Sequence, residues 1–301
     1  MTQTITVPGQ PSTNAALREK HDALARSLRA MGRVMVAFSG GVDSALLLKV
    51  AADVLGDDAL GVTAVSPSLP VAAREETARL AAEIGARHLI IETHEVERAD
   101  YRANDAMRCY FCKDELYTTL SAYAREHGFS AILDGTNIDD RGDHRPGRKA
   151  AREFGVCSPL AEVGFTKGDV RTLARQLRLS VWNKPAAACL SSRVPYGTPV
   201  TPEVLRQIDR AEAALHALGF EAVRVRHHGD VARVEVPPER LPDALARREA
   251  VVEAVRGAGY TFVALDLEGY RTGSLNEVLK LKLSEAGTTN NTNDANLVIR
   301  G

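Results

Sequence analysis

The feature that most restricts this chain is an unbroken apolar run, Val34 to Phe38, that passes directly into Ser39-Gly40-Gly41-Val42-Asp43-Ser44 and then into a helical pattern from Ala45 to Leu55. A strand apolar at every position is buried on both faces, which is the situation of a parallel sheet covered by helices. The pattern repeats downstream. A strand is expected near Leu60 to Val65, a helix from about Val71 to Ile84, a strand at His88 to Glu92, a helix from Lys113 to about His127 and a strand at Ala131 to Leu133. Strands alternating with helices imply right-handed crossovers, so the expected fold is α/β with a doubly wound parallel sheet. Ahead of it, Leu17, Leu24, Leu28 and Met31 recur at helical spacing.

The grammar changes after about Pro195. Thr201-Pro202-Glu203 is a helix start, with a capping hydroxyl followed by proline at the first helical position. A hairpin follows, with Val223 and Val225 alternating with Arg224 and Arg226 and a turn at His228-Gly229-Asp230; then come a helix from about Pro238 to Arg256 and a strand from Phe262 to Leu267. The expected organisation is a flexible arm over residues 1–16, a sheet domain over 17–195, a smaller C-terminal α+β domain over 196–284 and a disordered tail over 285–301.

With 45% hydrophobic and 26% charged residues the 301-residue chain has the balance of a soluble globular protein. No apolar run reaches the roughly 18 residues of a membrane-spanning helix. Basic and acidic residues nearly cancel, at 38 and 39, which gives no bulk electrostatic case for nucleic acid or a membrane surface. Met1 to Gln10 lacks the basic start and apolar core of a secretory leader, so a reducing cytoplasm is expected. There, closely spaced thiols point to metal or redox chemistry rather than to disulfides.

Two consecutive glycines between a buried strand and a helix let a ligand approach the backbone closely, and the Ser39 and Ser44 hydroxyls join amides that have no intrahelical partner. The product is an anion cradle at the positive end of a helix. It lacks the lysine of the Gly-x-x-x-x-Gly-Lys-Ser/Thr nucleotide loop. It resembles instead the PP-loop of the ATP pyrophosphatase superfamily, enzymes that split ATP between its α and β phosphates and leave an adenylated substrate. The second half of the nucleotide site is expected at the carboxyl end of the Ala131 strand, with Asp134, Thr136 and Asn137.

Of four cysteines, Cys109 and Cys112 form a close pair just ahead of the helix expected at Lys113, flanked by Arg108 and Lys113, a setting that should favour thiolate. A thioredoxin-like dithiol, a structural zinc site and an iron-sulfur cluster are all open to such a pair. The first wants a different place in the fold, and the second wants a further close pair. A cluster can use a pair plus a distant cysteine, and three thiolates on a cubane leave one iron without a protein ligand. Cys189, in a run of small residues, is either accessible or simply buried. Cys157 has no close partner and reads as a packing residue.

Taken together, Ser39 to Ser44, Arg108-Cys-Tyr-Phe-Cys-Lys113, Asp134-Gly-Thr-Asn-Ile-Asp-Asp140, His144-Arg-Pro-Gly147, Lys184 to Arg193 and Val223-Arg-Val-Arg-His-His-Gly229 resemble the LarE family over roughly residues 17–280, in collinear order. That resemblance implies an ATP-dependent sulfurtransferase of nickel-pincer nucleotide biosynthesis, the cofactor of lactate racemase. Its substrate would be pyridinium-3,5-biscarboxylic acid mononucleotide, whose carboxylates are adenylated and then converted to thiocarboxylates. One branch of the family sacrifices the sulfur of a single cysteine. The other matches Cys109, Cys112 and Cys189, holds a 4Fe-4S cluster and takes an external sulfide on the open iron. This sequence has the second pattern. The resemblance further implies ATP on Ser39, Gly40, Gly41 and Ser44, Mg²⁺ near Asp43, an external sulfur donor and a homo-oligomer, with a hexamer as one arrangement.

Arg224 and Arg226 should share a face of the hairpin and suit a phosphate monoester such as that of the mononucleotide; the alternative is ordinary charge on a half-exposed strand. In the family the matching arginines lie near a bound phosphate, and Glu212, Glu235 and Asp243 fall where LarE proteins place acidic residues around it. Trp182 is expected in a core or between domains. Two other functions compete: a PP-loop enzyme that thiolates tRNA, which wants a basic surface, and a protein that binds ATP without turnover.

Overall fold

The computed structural model describes residues 12–142, 146–185 and 188–271. They divide into two compact units: one takes the described residues up to Cys189 with Pro199–Pro202, the other Leu190–Thr198 and the residues from Glu203 on. The expected tail over 285–301 lies outside the described residues, as does most of the expected arm. The arm's described part is ordered, because Thr13 caps the first helix and accepts from the Ala16 amide at 3.4 Å.

In the first unit the elements are α1 (Asn14–Met31), β1 (Val34–Ala37), α2 (Val42–Leu55), β2 (Ala59–Val65), α3 (Val71–Ile84), β3 (Arg87–Glu92), α4 (Ala99–Arg102), α5 (Arg108–His127), β4 (Ala131–Leu133), α6 (Pro146–Glu153), α7 (Pro159–Glu162) and α8 (Lys167–Gln176). The four strands form a parallel sheet in the order β3-β2-β1-β4, with Met35 opposite both Leu60 and Ile132. One further parallel bridge, Leu133 to Cys157, extends it past β4.

Alternation along β1 builds a core on each face. Val34 and Val36 pack with leucines of α1 and α2 and with Val170 and Leu173 of α8, while Met35 joins Leu60, Val62, Ile132 and the α5 residues Tyr117 and Leu120. Leu46, Leu47 and Leu48 are all fully buried, because α1 and α8 cover the side of α2 that the sheet does not. Each such leucine contributes about 1.5–3 kcal/mol relative to an exposed one. The α/β class expected from the strand-helix alternation is what the chain adopts.

The second unit holds α9 (Pro202–Ala217), whose start the Thr201-Pro202 signal marks correctly, then β5 (Arg224–His228), β6 (Val231–Glu235), α10 (Leu241–Ala246), α11 (Arg248–Gly257) and β7 (Phe262–Leu265). β5 and β6 are antiparallel, with Val225 opposite Val234, and β7 adds in parallel to β6. The single helix expected from Pro238 to Arg256 is in fact two. The chain enters through a 3-10 turn, because Pro242 is tolerated only in a first helical turn, and Arg247 leaves helical geometry at φ −106°, ψ 23°. Among the described residues no helix is long and apolar enough to cross a membrane.

Candidate active site

The order β3-β2-β1-β4 reverses direction between β1 and β4, and open α/β sheets bind ligands at the carboxyl ends of such a pair. Ser39 to Ser44 occupies that point. Gly40 has φ +72°, and a β-carbon there would lie 2.9 Å from Thr77 Cγ2, so both backbone conformation and space require glycine. The Ser44 hydroxyl is an internal staple: it donates to the Gly41 carbonyl at 3.1 Å and accepts from the Ser39 amide at 3.3 Å. The Ser39 side chain is exposed at the mouth, and Gly41 caps α2 with no side-chain bond to the first-turn amides.

From β4, Gly135 is pressed against the loop; its β-carbon would meet the Ser44 amide nitrogen at 2.7 Å. That contact brings Asn137, which is buried, close enough for Nδ2 to donate to Asp43 Oδ1 at 3.0 Å. Asp134 turns the other way and accepts from the Thr136 amide at 3.1 Å and the Ser158 hydroxyl at 2.7 Å. The remaining Asp43 oxygen pairs with the ammonium of Lys167, at the start of α8. Asp43 is thus committed to Lys167 and Asn137, so a magnesium ion expected near it would have to displace Lys167. Lys167 carries almost no signal in the sequence. Its only local signal is the Thr166 to Asp169 capping box, which marks a helix start and says nothing of what lies opposite.

The cysteine pair lies inside α5, which starts at Arg108, five residues earlier than expected. Three residues apart in one helix, Cys109 and Cys112 share a face. The expectation of thiolates does not hold. Burial pushes the Cys112 thiol up to about 12, with the proximity of Glu95 and then of Cys189 adding to it. Cys109 is also raised, by desolvation first and by Cys189 second, against the opposing pull of Arg108 and Lys113. Each of the pair therefore feels Cys189, so residues 80 positions apart are electrostatic neighbours in one unit. Cys157 is half-buried, bridges to Leu133 and packs against the core.

In the second unit Arg224 and Arg226 are buried, not solvated strand charges. Arg226 makes a two-pronged pair with Glu235 at 2.9 and 3.0 Å and donates to the Ser192 carbonyl at 2.7 Å. Arg224 lies 4.3 Å from the centre of the Tyr270 ring, and its pKa is lowered by burial and by the nearby Arg193 and Arg226. Glu212 forks with Arg193 at 2.9 and 3.0 Å and accepts from the Val225 amide. Asp243 pairs with Arg240 and Arg247 and stays half-exposed. Trp182 is not a core residue; it is 36% exposed, with the Arg175 guanidinium 5.6 Å from its ring.

No family model matches the chain. It is 44% identical over 265 residues to the uncharacterised protein slr1717 of Synechocystis sp., covering 87% of this chain and 99% of that protein. It is 41% identical over 268 residues, 88% of this chain and 96% of the relative, to pyridinium-3,5-bisthiocarboxylic acid mononucleotide synthase of Lactiplantibacillus plantarum. The chain belongs to the LarE family. It is an enzyme of the sulfurtransferase type. A weaker likeness, 25% over 125 residues, links 41% of the chain to a probable tRNA sulfurtransferase of Methanobrevibacter smithii, in keeping with the PP-loop superfamily.

In this LarE-family chain the first unit gathers Ser39, Gly40, Gly41, Asp43, Ser44 and Asn137 around one loop and the three cysteines in one electrostatic neighbourhood. Among the described residues no group of three or more His, Cys, Asp or Glu side chains is already gathered as a metal site. The donor chemistry nonetheless suits iron: three soft thiols, two of them one helical turn apart, would bind as thiolates on drawing together around a cluster. Of the motifs that carry the resemblance, His144 lies outside the described residues. Gly147 lies against α5, where a β-carbon would be 3.2 Å from the Cys109 carbonyl.

Proposed function

We propose that this protein uses ATP to adenylate the carboxylates of pyridinium-3,5-biscarboxylic acid mononucleotide and replaces AMP with sulfur, a step in making the nickel-pincer nucleotide. The observation that carries this reading is the Ser39–Ser44 cradle, joined by Asn137 and Lys167 within the same unit as Cys109, Cys112 and Cys189. The Ser39 hydroxyl and the amides of Gly40, Gly41 and Ser44 hold ATP phosphates, with Asp134 and Thr136 at the neighbouring strand end and Mg²⁺ entering as the counter-ion of ATP. The substrate carboxylate oxygen attacks the α-phosphorus and pyrophosphate departs. Arg224 and Arg226 recognise the mononucleotide phosphate.

Cys109, Cys112 and Cys189 hold a 4Fe-4S cluster. When bound, that group supplies an iron open to an external sulfur ligand, so the protein is not consumed. Residues 17–195 act as the activating domain and 196–284 as the substrate domain. A cytoplasmic setting keeps the thiols reduced, and the enzyme works as a homo-oligomer.

The test incubates anaerobically reconstituted protein with ATP, Mg²⁺, sulfide and either the pyridinium mononucleotide or bulk tRNA. Thiolated mononucleotide together with AMP is expected. Thiolated tRNA, or no AMP from either mixture, would overturn the reading. Loss of one sulfur from Cys189 per product would replace the cluster route by sacrifice of the cysteine.

A further inference from the structure

Most basic side chains around the cysteine pair and the nucleotide loop have partners. Arg98 pairs with Asp100 and Asp114, Arg108 donates to Asn104, and Lys167 pairs with Asp43. Lys113 is different. It is half-buried, and its ammonium lies 5.6 Å from the centre of the Tyr117 ring with no hydrogen bond or ion pair to any described residue.

The stem of Lys113 is confined by α6, since a β-carbon on Gly147 would come within 3.0 Å of Lys113 Cγ. The groups whose charge it feels are Tyr117 first, then Cys112, Asp134 and Cys109. The cation is thus held over Tyr117, which packs against β4, within electrostatic reach of the two thiols and of Asp134 at the end of that strand. Asp134, whose Oδ1 accepts from Ser158 and Thr136, makes no ion pair with it. A partly desolvated ammonium without a partner is costly, and an anion arriving with the substrate removes that cost.

We propose that Lys113 is a catalytic residue of the sulfur-transfer step, donating a hydrogen bond to the phosphate of the acyl adenylate and holding it as it leaves. This rests on the adenylation reading above. A sulfide supplied from outside gives an electron pair to the acyl carbon and forms the carbon–sulfur bond. The bond from that carbon to the phosphate oxygen breaks, and its electron pair leaves with AMP. The sulfide proton goes to solvent, Lys113 keeps its own, and nothing is oxidised or reduced. Lys113 offsets the charge that grows on the departing oxygen.

The experiment compares wild type with Lys113→Met, Lys113→Gln and Lys113→Arg. It measures thermal midpoint, mononucleotide-dependent exchange of pyrophosphate into ATP, thiolated product, and the affinities for AMP and adenosine. Losing one charged hydrogen bond should slow transfer and weaken AMP about tenfold to a hundredfold. Adenosine binding should stay near wild type and exchange should fall much less than transfer, with Lys113→Arg partly restored. Wild-type transfer in folded Lys113→Met, equal loss of exchange and transfer, or unchanged AMP affinity would each overturn the proposal. If Lys113→Met does not fold, Lys113→Gln and Lys113→Arg carry the same comparison. Should wild type fail to thiolate the mononucleotide, the adenylation reading falls, while the AMP against adenosine comparison still decides whether Lys113 meets a phosphate.

Discussion

Asp43 and Lys167, 124 residues apart in the chain, form an ion pair across the mouth of the strand-to-helix turn. The loop thereby acquires, from a distant helix, the cation that its own sequence lacks. Replacing Lys167 by Met leaves the Asp43 carboxylate facing incoming phosphate without a counter-charge. With Lys167 a third exposed, the lost interaction is discounted for solvent to about 1–2 kcal/mol, or roughly five- to thirtyfold in ATP affinity. Titration of ATP–Mg²⁺ by calorimetry checks it, and unchanged affinity would remove Lys167 from the nucleotide site.

Gly135→Ala should damage the same loop from the β4 side. The added methyl would lie 2.7 Å from the Ser44 amide nitrogen and 3.0 Å from the Asp43 carbonyl carbon, both backbone atoms with no flexible end to yield. Overpacking of this kind costs about 1–3 kcal/mol. The loop must then shift relative to β4, so ATP binding weakens along with a fall in thermal midpoint of a few degrees. A variant with native melting and native ATP affinity would mean that β4 and the loop move independently.

Asp169 gives the fold a defined acid limb. It is fully buried, pairs with Lys20 at 2.7 Å, and accepts from the Thr166 and Ser12 amides. Burial alone would raise its pKa, but Lys20 and those amides outweigh burial and hold it below the usual carboxylate value. A group depressed in the folded state contributes stability that is fully present above its unfolded pKa, about 3.9, and is lost as pH falls through the folded value. Asp169→Asn should lower stability at pH 7 and flatten the dependence of unfolding free energy on pH below about 4. Denaturant titrations from pH 7 to pH 3 that leave the slope unchanged would assign the acid limb to other carboxylates.

What could be read in advance was set by local pattern. Val34 to Phe38 and the Thr201-Pro202 start announce themselves because burial on both faces and helix capping each leave a signature within a few residues. Arg108 to Cys112 misled for the same reason. Cys109 and Cys112 sit near the start of a helix with cations beside them, yet their thiols are raised, since desolvation by the folded surroundings exceeds the charge of the chain neighbours. Lys167 was invisible because its meaning lies in Asp43, on another element. Glu235 behaves likewise: on β6 it reads as one more strand carboxylate, and only the register that sets it opposite Arg224, with Arg226 alongside, makes it a buried partner.

That buried pair allows the two roles open to Arg226 to be separated. Removing Glu235 alone takes the carboxylate away from a buried guanidinium, so Glu235→Ala should destabilise by about 3–5 kcal/mol whatever Arg226 does in function. Replacing both by apolar residues, Arg226→Met with Glu235→Leu, takes away both charges together and should recover much of that stability. If Arg226 only braces the hairpin, the double variant binds the mononucleotide as wild type does. If its remaining donor capacity meets the substrate phosphate, the double variant folds but binds the mononucleotide at least tenfold more weakly, the loss expected for a charged hydrogen bond. Arg224→Lys completes the comparison. Lysine retains the charge but loses the guanidinium placed over the Tyr270 ring and its fork geometry, so phosphate affinity should fall even though net charge is unchanged.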